Sequence, residues 1–437
     1  MNEEKVRKII SAMHSTRFLC LPPHYPSLVS WSEAPAAAGR LLKGADPALP
    51  LGLYVNVPFC ASKCSFCYLD VNVLPPERRE AEAAEFAEGI YLEAGLVSGY
   101  FRGHSVSSLY LAGGTVNLLP GGVIAGIISA LKGAFRFADG AQISMEANPD
   151  FFDEKKIDLL AGSGVGMVTI GVQTLDQTVL NGTNRAQRAC NVPRIFRLLR
   201  RRGMKVGIDL ICVLPNQSVK GFLGDVKAVA DLAPSQIHLN RYKPVRGRLP
   251  ERERLSNIEA QNRGFEILTR RGYTRIDEDS AVLDRRVFNA QGDPEFQMFS
   301  NVVGLGPGAM SRIFKRSRYQ NYPGRDAWLG ALRRGGLPVM RWISLGPGDE
   351  MTHYAMISLL DLKPLSPSDL ADRFGRAGLG VLLKALDRLA ASGAVVKKNG
   401  EYSATQDASG FCACPYEIAR GLYAEKYLRS AIRRYGL

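Results

Sequence analysis

Three cysteines fall within eight residues, Cys60-Ala-Ser-Lys-Cys64-Ser-Phe66-Cys67, at Cys-x3-Cys-x2-Cys spacing. Thiolates are soft ligands that suit iron–sulfur clusters and zinc. Three of them on one short loop can hold three corners of a cubic [4Fe-4S] cluster. The fourth iron then lacks a protein ligand and is open to a small chelating molecule. The run before the loop, Leu53-Tyr-Val-Asn-Val57, alternates as a strand does, and Pro58 stops it. The loop is therefore expected at the C-terminal end of a strand. Zinc is one alternative, but structural zinc is closed by four ligands and usually shows paired Cys or Cys/His sets. The closest downstream histidine is His104. A disulfide with a spare thiol is the other alternative.

From residue 51 onward strand-like and helix-like patterns alternate. The strands are predicted at 52–57, 107–111, 142–145, 167–171, 206–211 and 236–239, with the clearest helices at 76–95 and 122–134. Such alternation implies a parallel sheet. Six units predict an α/β fold with a partial (β/α)6 TIM-like barrel over 51–245. In parallel barrels chemistry gathers at the C-terminal strand ends. Here those ends carry Cys60 to Cys67, Gly113-Gly114-Thr115, Glu146-Ala-Asn148, Gln173, Asp209 and Tyr242. Gly113 and Gly114 would let a ligand approach the backbone, although a Gly-Gly pair is also an ordinary tight turn. Glu146 offers acceptors for an ammonium or for hydroxyls, and its bland counterpart is a surface carboxylate. Gln173 can bond a ribose hydroxyl or adenine. Asp209 is a charge within an apolar strand and needs partners; a structural aspartate of the barrel interior is the competing reading. Arg185 can pair bidentately with a carboxylate.

The chain has 437 residues, room for one large catalytic domain and a smaller one. No apolar run reaches the length of a membrane span, and Met1-Asn-Glu-Glu-Lys is no secretion signal. A clustered cysteine run without a signal peptide points to a reducing cytoplasm. The formal charge of +14 (56 basic, 42 acidic residues) suits nucleic acid, an acidic substrate or an anionic surface. The basic residues are dispersed, apart from knots at 197–202 and 246–254, and no nucleic-acid motif accompanies them. Residues 1–50 read as a proline-rich lead-in after a short helix at 3–13, with Arg17, His24, Tyr25 and Trp31 as candidate substrate contacts and a plain packing strap as the equal alternative. Residues 246–345 read as an accessory region completing the core. Residues 346–437 read as a small, mostly helical domain with a strand pair near 395–400. Cys412-Ala-Cys414 reads as a structural pair, with ligation or thiol shuttling as the alternative.

The cysteine loop resembles the signature of the radical S-adenosylmethionine (SAM) superfamily. Tyr54, Pro58, Phe59 and Phe66 around it resemble the branch typified by oxygen-independent coproporphyrinogen III oxidase, the HemN-like family. The resemblance implies that SAM chelates the open iron and is cleaved by one electron from a [4Fe-4S] cluster held by Cys60, Cys64 and Cys67. It implies two SAM molecules. Tyr54, Gly113, Glu146, Tyr242 and Met310 would line the first; Phe66, Gly114, Thr115, Gln173, Arg185 and Asp209 would line the second. It also implies a lead-in lying over the active site, a winged-helix-like C-terminal cap, a monomer, and a flavodoxin- or ferredoxin-type electron donor. Gln291-Gly-Asp293 and Tyr319-Gln-Asn321 resemble the decarboxylase branch, and the His-Asn-x2-Tyr-Trp motif of haem chaperones is absent before Gly304.

Three departures bear on the reaction. Tyr68-Leu69 follows Cys67 where Gly-Cys is usual, Val116-Asn117 stands where Pro-Thr is usual, and Cys212-Val213 stands where Tyr-Gly is usual. The cleavage set is kept while its surroundings differ. The reading favoured from sequence is therefore methyl transfer or carbon–carbon bond formation on an sp2 carbon of an aromatic or polyketide-like substrate, using a second SAM. The alternatives are an anaerobic tetrapyrrole enzyme and a non-catalytic haem-binding or delivery protein.

Overall fold

The structure is a computed structural model describing residues 31–33, 38–245, 249–276, 279–286, 294–360, 363–405, 418 and 421–422. The expected helix at 3–13, Arg17, His24, Tyr25, Arg246, Gln291-Gly-Asp293, Cys412 and Cys414 lie outside the described residues. The chain divides into two compact units. The larger is Ala36–Ile313 with Tyr319–Met340; the other is Met1–Pro35, Phe314–Arg318 and Arg341–Leu437.

The larger unit is built on parallel strands β1 (Leu51–Val57), β2 (Val106–Gly113), β3 (Phe137–Ala147), β4 (Met167–Gln173), β5 (Lys205–Cys212) and β6 (Gln236–Arg241). Each pairs in parallel with the next. All six predicted strands are present, and the partial barrel is borne out. The sheet also runs past them. β7 (Asn301–Leu305) lies parallel to β1, β8 (Met310–Ile313) follows it, and two short antiparallel strands extend the β6 edge.

Alternation along the strands explains the layering. One set of side chains is apolar on every strand: Val55 pairs with Leu111, Leu111 with Met145, Met145 with Val168 and Val168 with Val206. All five are fully buried, beneath the connecting helices. These are α1 (Arg79–Ser98), α2 (Gly121–Ala134), α3 (Glu154–Gly162), α4 (Gln177–Gly182), α5 (Val192–Arg201), α6 (Val219–Asp231) and α7 (Glu251–Arg270). The other set, facing the barrel interior, is polar. Tyr54 lies opposite Tyr110 and Tyr110 opposite Ser144; Glu146 is opposite Thr169; Gly171 is opposite Asp209 and Asp209 opposite His238. A strand with this two-residue period has only one way to face. Side chains at the strand ends also start the helices. Asp153 caps α3, Asp176 caps α4 and Ser218 caps α6, each accepting a backbone N–H of the first turn.

In the second unit, α9 (Pro347–Leu360), α10 (Pro367–Phe374) and α11 (Leu379–Ala391) are followed by the hairpin β9 (Val395–Lys398) and β10 (Glu401–Ala404). Leu365, between α9 and α10, bridges antiparallel to Tyr402. Helix, short strand, two helices and a hairpin make the winged-helix-like arrangement expected. Leu370, Leu382, Leu386 and Leu389 are buried there, whereas Val381 is 74% exposed. Arg318, Glu350 and His353 form a buried polar cluster, with Arg318 Nη2 2.9 Å from His353 Nδ1 and 3.4 Å from Glu350.

Candidate active site

The cysteine loop leaves β1 through Pro58 and a two-residue strand, Phe59–Cys60, paired in parallel with Asn72–Val73. It is pinned to the segment after α4. Ser65 N donates to Thr183 O (2.9 Å), Ser62 Oγ to Asn184 O (2.9 Å), and Asn184 Nδ2 to Lys63 O (2.9 Å). Cys67 N closes a turn on Cys64 O (3.1 Å). The loop that carries the thiols is therefore held from both sides by backbone pairing and hydrogen bonds.

Cys60, Cys64 and Cys67 open onto a cleft of about 840 Å³, including its solvent-open part. Phe66, Gly113, Gly114, Thr115, Glu146, Gln173, Arg185 and Asp209 line the same cleft, joined by Asn148 and by apolar Leu69, Val71 and Phe151. Eleven of the fourteen residues singled out from sequence thus share one cavity. Tyr54, Tyr242 and Met310 do not line it. Tyr54 turns its hydroxyl to Asn56 Oδ1 (2.9 Å) in the barrel interior. Tyr242 lies beyond β6, its N–H donating to Asn257 Oδ1 of α7 (3.1 Å). Met310 opens β8, after the glycine-rich turn from β7.

The sulfurs face donors. Thr115 Oγ1 donates to Cys60 Sγ (3.5 Å), and Arg185 Nη1 to Cys64 Sγ (3.8 Å). Burial raises the Cys60 thiol above its ordinary value, and the Thr115 hydrogen bond offsets part of that. Donors aimed at sulfur suit the thiolate ligands of an iron–sulfur cluster, whose properties depend on such hydrogen bonds. Among the described residues no three Cys, His, Asp or Glu side chains are grouped to grip a single metal ion. Three thiols opening onto one cleft, two of them facing donors, fit the thiolate ligands of an iron–sulfur cluster.

The glycine pair makes an ordinary tight turn, the alternative expectation. Gly114 N donates to Val57 O (2.7 Å) and Thr115 N to Phe59 O (2.6 Å). A Cβ on Gly114 would stand 2.4 Å from Phe59 O, and one on Gly113, whose φ is +108°, 2.4 Å from Asn56 Oδ1. The turn has to be glycine because it packs on the end of β1, whether or not a ligand is present.

Glu146 is a buried carboxyl of the cleft whose proton is held tightly. Tyr110 donates to its Oε1. Burial, and secondarily the charge of Asp209, push its carboxyl up to about 7; Tyr110, His238 and the Gly113 backbone pull the other way. Burial also raises Asp209, with His238 and Arg185 opposing. Tyr68, next to Cys67, is raised by burial and then by the charge of Glu146. Sequence reasoning singled out neither Tyr110 nor His238, although both lie at interior positions of the same alternation. It also missed the job of Asn117. This buried amide donates to Asn148 O (2.7 Å) and accepts from Asn148 N (3.0 Å), fixing the loop after β3 at the cleft wall.

The radical SAM superfamily matches residues 54–229, the span from β1 through α6. An oxygen-independent coproporphyrinogen III oxidase of Cereibacter sphaeroides is 26% identical over 384 residues, covering 80% of this chain and 83% of that protein. The heme chaperone HemW of Escherichia coli is 26% identical over 278 residues, covering 60% and 70%. The solved structure of HemN, the coproporphyrinogen III oxidase of Escherichia coli described as a radical SAM enzyme, superposes with a TM-score of 0.80 at 22% identity. It covers 95% of this chain and 98% of that one, and so shares the fold. Cysteine loop, partial barrel and relatives agree: residues 54–229 match the radical SAM superfamily, and the chain is similar to the HemN-like proteins and shares the fold of HemN.

Proposed function

We propose that the chain is a radical SAM enzyme that acts on a tetrapyrrole and oxidatively decarboxylates one of its side chains; the reading is supported by its similarity to proteins named coproporphyrinogen III oxidases. One observation carries the chemistry: the three thiols and the polar ends of β2, β3, β4 and β5 open onto a single cleft. When bound, a [4Fe-4S] cluster and SAM would supply a 5'-deoxyadenosyl radical, given an electron from a flavodoxin- or ferredoxin-type donor, and the electron left on the substrate as CO2 departs would pass to an external one-electron acceptor.

The chain's own residues then bind and orient. Cys60, Cys64 and Cys67 hold three irons, with Thr115 and Arg185 donating to two of the sulfurs. Glu146, ionised, accepts from the ammonium of SAM. Gln173 and Asp209 bond ribose hydroxyls, and Arg185 faces a carboxylate. Tyr54, Tyr242 and Met310, which lie outside the cleft, act as supports of its wall. Phe66, Leu69, Val71 and Phe151 give the cleft an apolar lining that keeps water from a reactive carbon centre. This reading rests on the relatives, and it displaces methyl transfer from first place.

Methyl transfer with a second SAM remains the second reading. Its supporting observations are Tyr68-Leu69 after Cys67 and the second-SAM set, Phe66, Gly114, Thr115, Gln173, Arg185 and Asp209, lining the same cleft. Anaerobic reconstitution with coproporphyrinogen III and methyl-deuterated SAM separates the readings. Release of CO2 with unlabelled deoxyadenosine is the expected result. Deuterium in deoxyadenosine, with S-adenosylhomocysteine formed, would replace decarboxylation by methyl transfer. Haem bound without SAM turnover would replace both by a carrier.

A further inference from the structure

We propose that a buried lock made by Thr174, Asp225 and Gln217 is a positioning device that holds Gln173 in a strained conformation at the cleft wall, where its amide meets the nucleoside end of SAM. The inference rests on the reading of the cleft as a SAM site. The observation behind it is the shape of the chain at the end of β4. Thr174 N donates to Val172 O at 2.8 Å, closing a three-residue turn across Gln173. The φ of Gln173 is +66°. A turn of this hand is rare, and a residue with a branched or long side chain adopts it only under strain. The β4–β5 register is irregular at the same place, between Gly171 and Gln173.

Strain of this kind persists only where the surroundings over-determine it. Here they do. Thr174 is fully buried, and its Oγ1 donates to Asp225 Oδ2 (2.6 Å) while accepting from Gln217 Nε2 (2.9 Å) and from Asp176 N (3.1 Å). Gln217 Nε2 also reaches Asp225 Oδ2 (2.8 Å), and its Oε1 accepts from Leu214 N (3.1 Å). Gln217 and Asp225 are 7% and 8% exposed. The lock therefore ties the loop after β4 to the loop after β5 and to α6. Before the turn, Arg185 donates to Gly171 O and Gln187 Nε2 to Val172 O (3.0 Å). The backbone on each side of Gln173 is held, while Gln173 itself lines the cleft.

A purely structural turn at this φ would be served by glycine, which adopts it freely. Gln173 lines the cleft that Thr174, Asp225 and Gln217 do not reach, so the lock acts on the site through it.

The test uses the reconstituted full chain, with SAM affinity from calorimetry and Tm of the SAM-free protein measured in parallel. Gln173→Gly is expected to raise Tm, because the strain is released, and to weaken SAM about tenfold. Thr174→Val is expected to weaken SAM about tenfold with iron content unchanged, and Thr174→Ser to restore it. In the Gln173→Gly background, Thr174→Val should weaken SAM no further. Wild-type affinity in Thr174→Val, multiplied losses in the double variant, or a lower Tm in Gln173→Gly would overturn the lock. A wild-type protein that binds iron but no SAM would instead overturn the site reading on which the lock's ligand depends.

Discussion

Glu146 joins the two requirements placed on a single residue here, burial and charge. Its carboxyl takes the Tyr110 hydrogen bond inside the barrel and sits near 7 through desolvation. An acceptor for an ammonium must be ionised, so SAM affinity is expected to fall as pH drops from 8 to 6. Glu146→Gln should weaken SAM by about tenfold or more at pH 8 and flatten that dependence, as read by calorimetry across the range. Cys64→Ala should abolish both the cluster's visible absorbance and deoxyadenosine formation; retained SAM cleavage would contradict the assignment. Glu146 and Asp209 are legible in the sequence because a carboxylate inside an apolar strand needs partners. Tyr110 and His238 carry a weaker signal, since an aromatic or a histidine in a strand reads equally as core, and only the register with Glu146 and Asp209 gives them a role. Asn117 is visible in sequence only as a departure from a usual Pro-Thr. Its pairing with Asn148 is a long-range contact that no local pattern announces.

At the scale of elements, α1 and the turn after β7 are clamped by one buried carboxylate. Glu93 accepts from Gly306 N (2.8 Å), Asn321 Nδ2 (2.6 Å) and Trp328 Nε1 (2.9 Å), the last from α8 (Arg325–Arg333). The same turn presents Pro307 O to Asn56 Nδ2 (2.6 Å), the residue that receives the Tyr54 hydroxyl. Burial raises Glu93 from 4.5 to about 7 against the pull of its three donors. A carboxyl raised in the folded state binds its proton more tightly there than in the unfolded chain. Its contribution is therefore complete below pH 4.5 and lost as pH rises through 7. The shift from 4.5 to about 7 corresponds to about 3 kcal/mol. Glu93→Gln should flatten the decline in denaturant stability between pH 5 and 8. Gly89 of α1 faces the ring of Trp328, and a Cβ there would stand 2.1 Å from it. Gly89→Ala is accordingly expected to destabilise by roughly 1–3 kcal/mol through overpacking, visible as a lower urea midpoint. The six barrel strands are legible from apolar runs bounded by glycine and proline. β7 is not, because Asn301-Val-Val-Gly-Leu305 is five residues long and runs into Gly-Pro-Gly, which reads as loop until its pairing with β1 is seen.

For the whole molecule, the sheet decides where chemistry is possible. Each crossover helix returns the chain so that successive strands run the same way and their C-terminal ends meet at one edge. A cysteine loop at the end of β1 then faces the ends of β2, β3, β4 and β5, which lie far from it in sequence. This much follows from the alternation of strands and helices and from cysteine spacing. The reaction does not, since substrate choice depends on cleft-wall residues such as Tyr68, Leu69 and Phe151 that any apolar ligand would satisfy. No helix among the described residues is long and apolar enough to cross a membrane. The most direct test of the account is anaerobic reconstitution of the full chain with iron and sulfide, then addition of dithionite and SAM. About four irons per chain and one methionine per 5'-deoxyadenosine are the expected result. A protein that takes up a single zinc, or a cluster that leaves SAM intact under the same reductant, would contradict it.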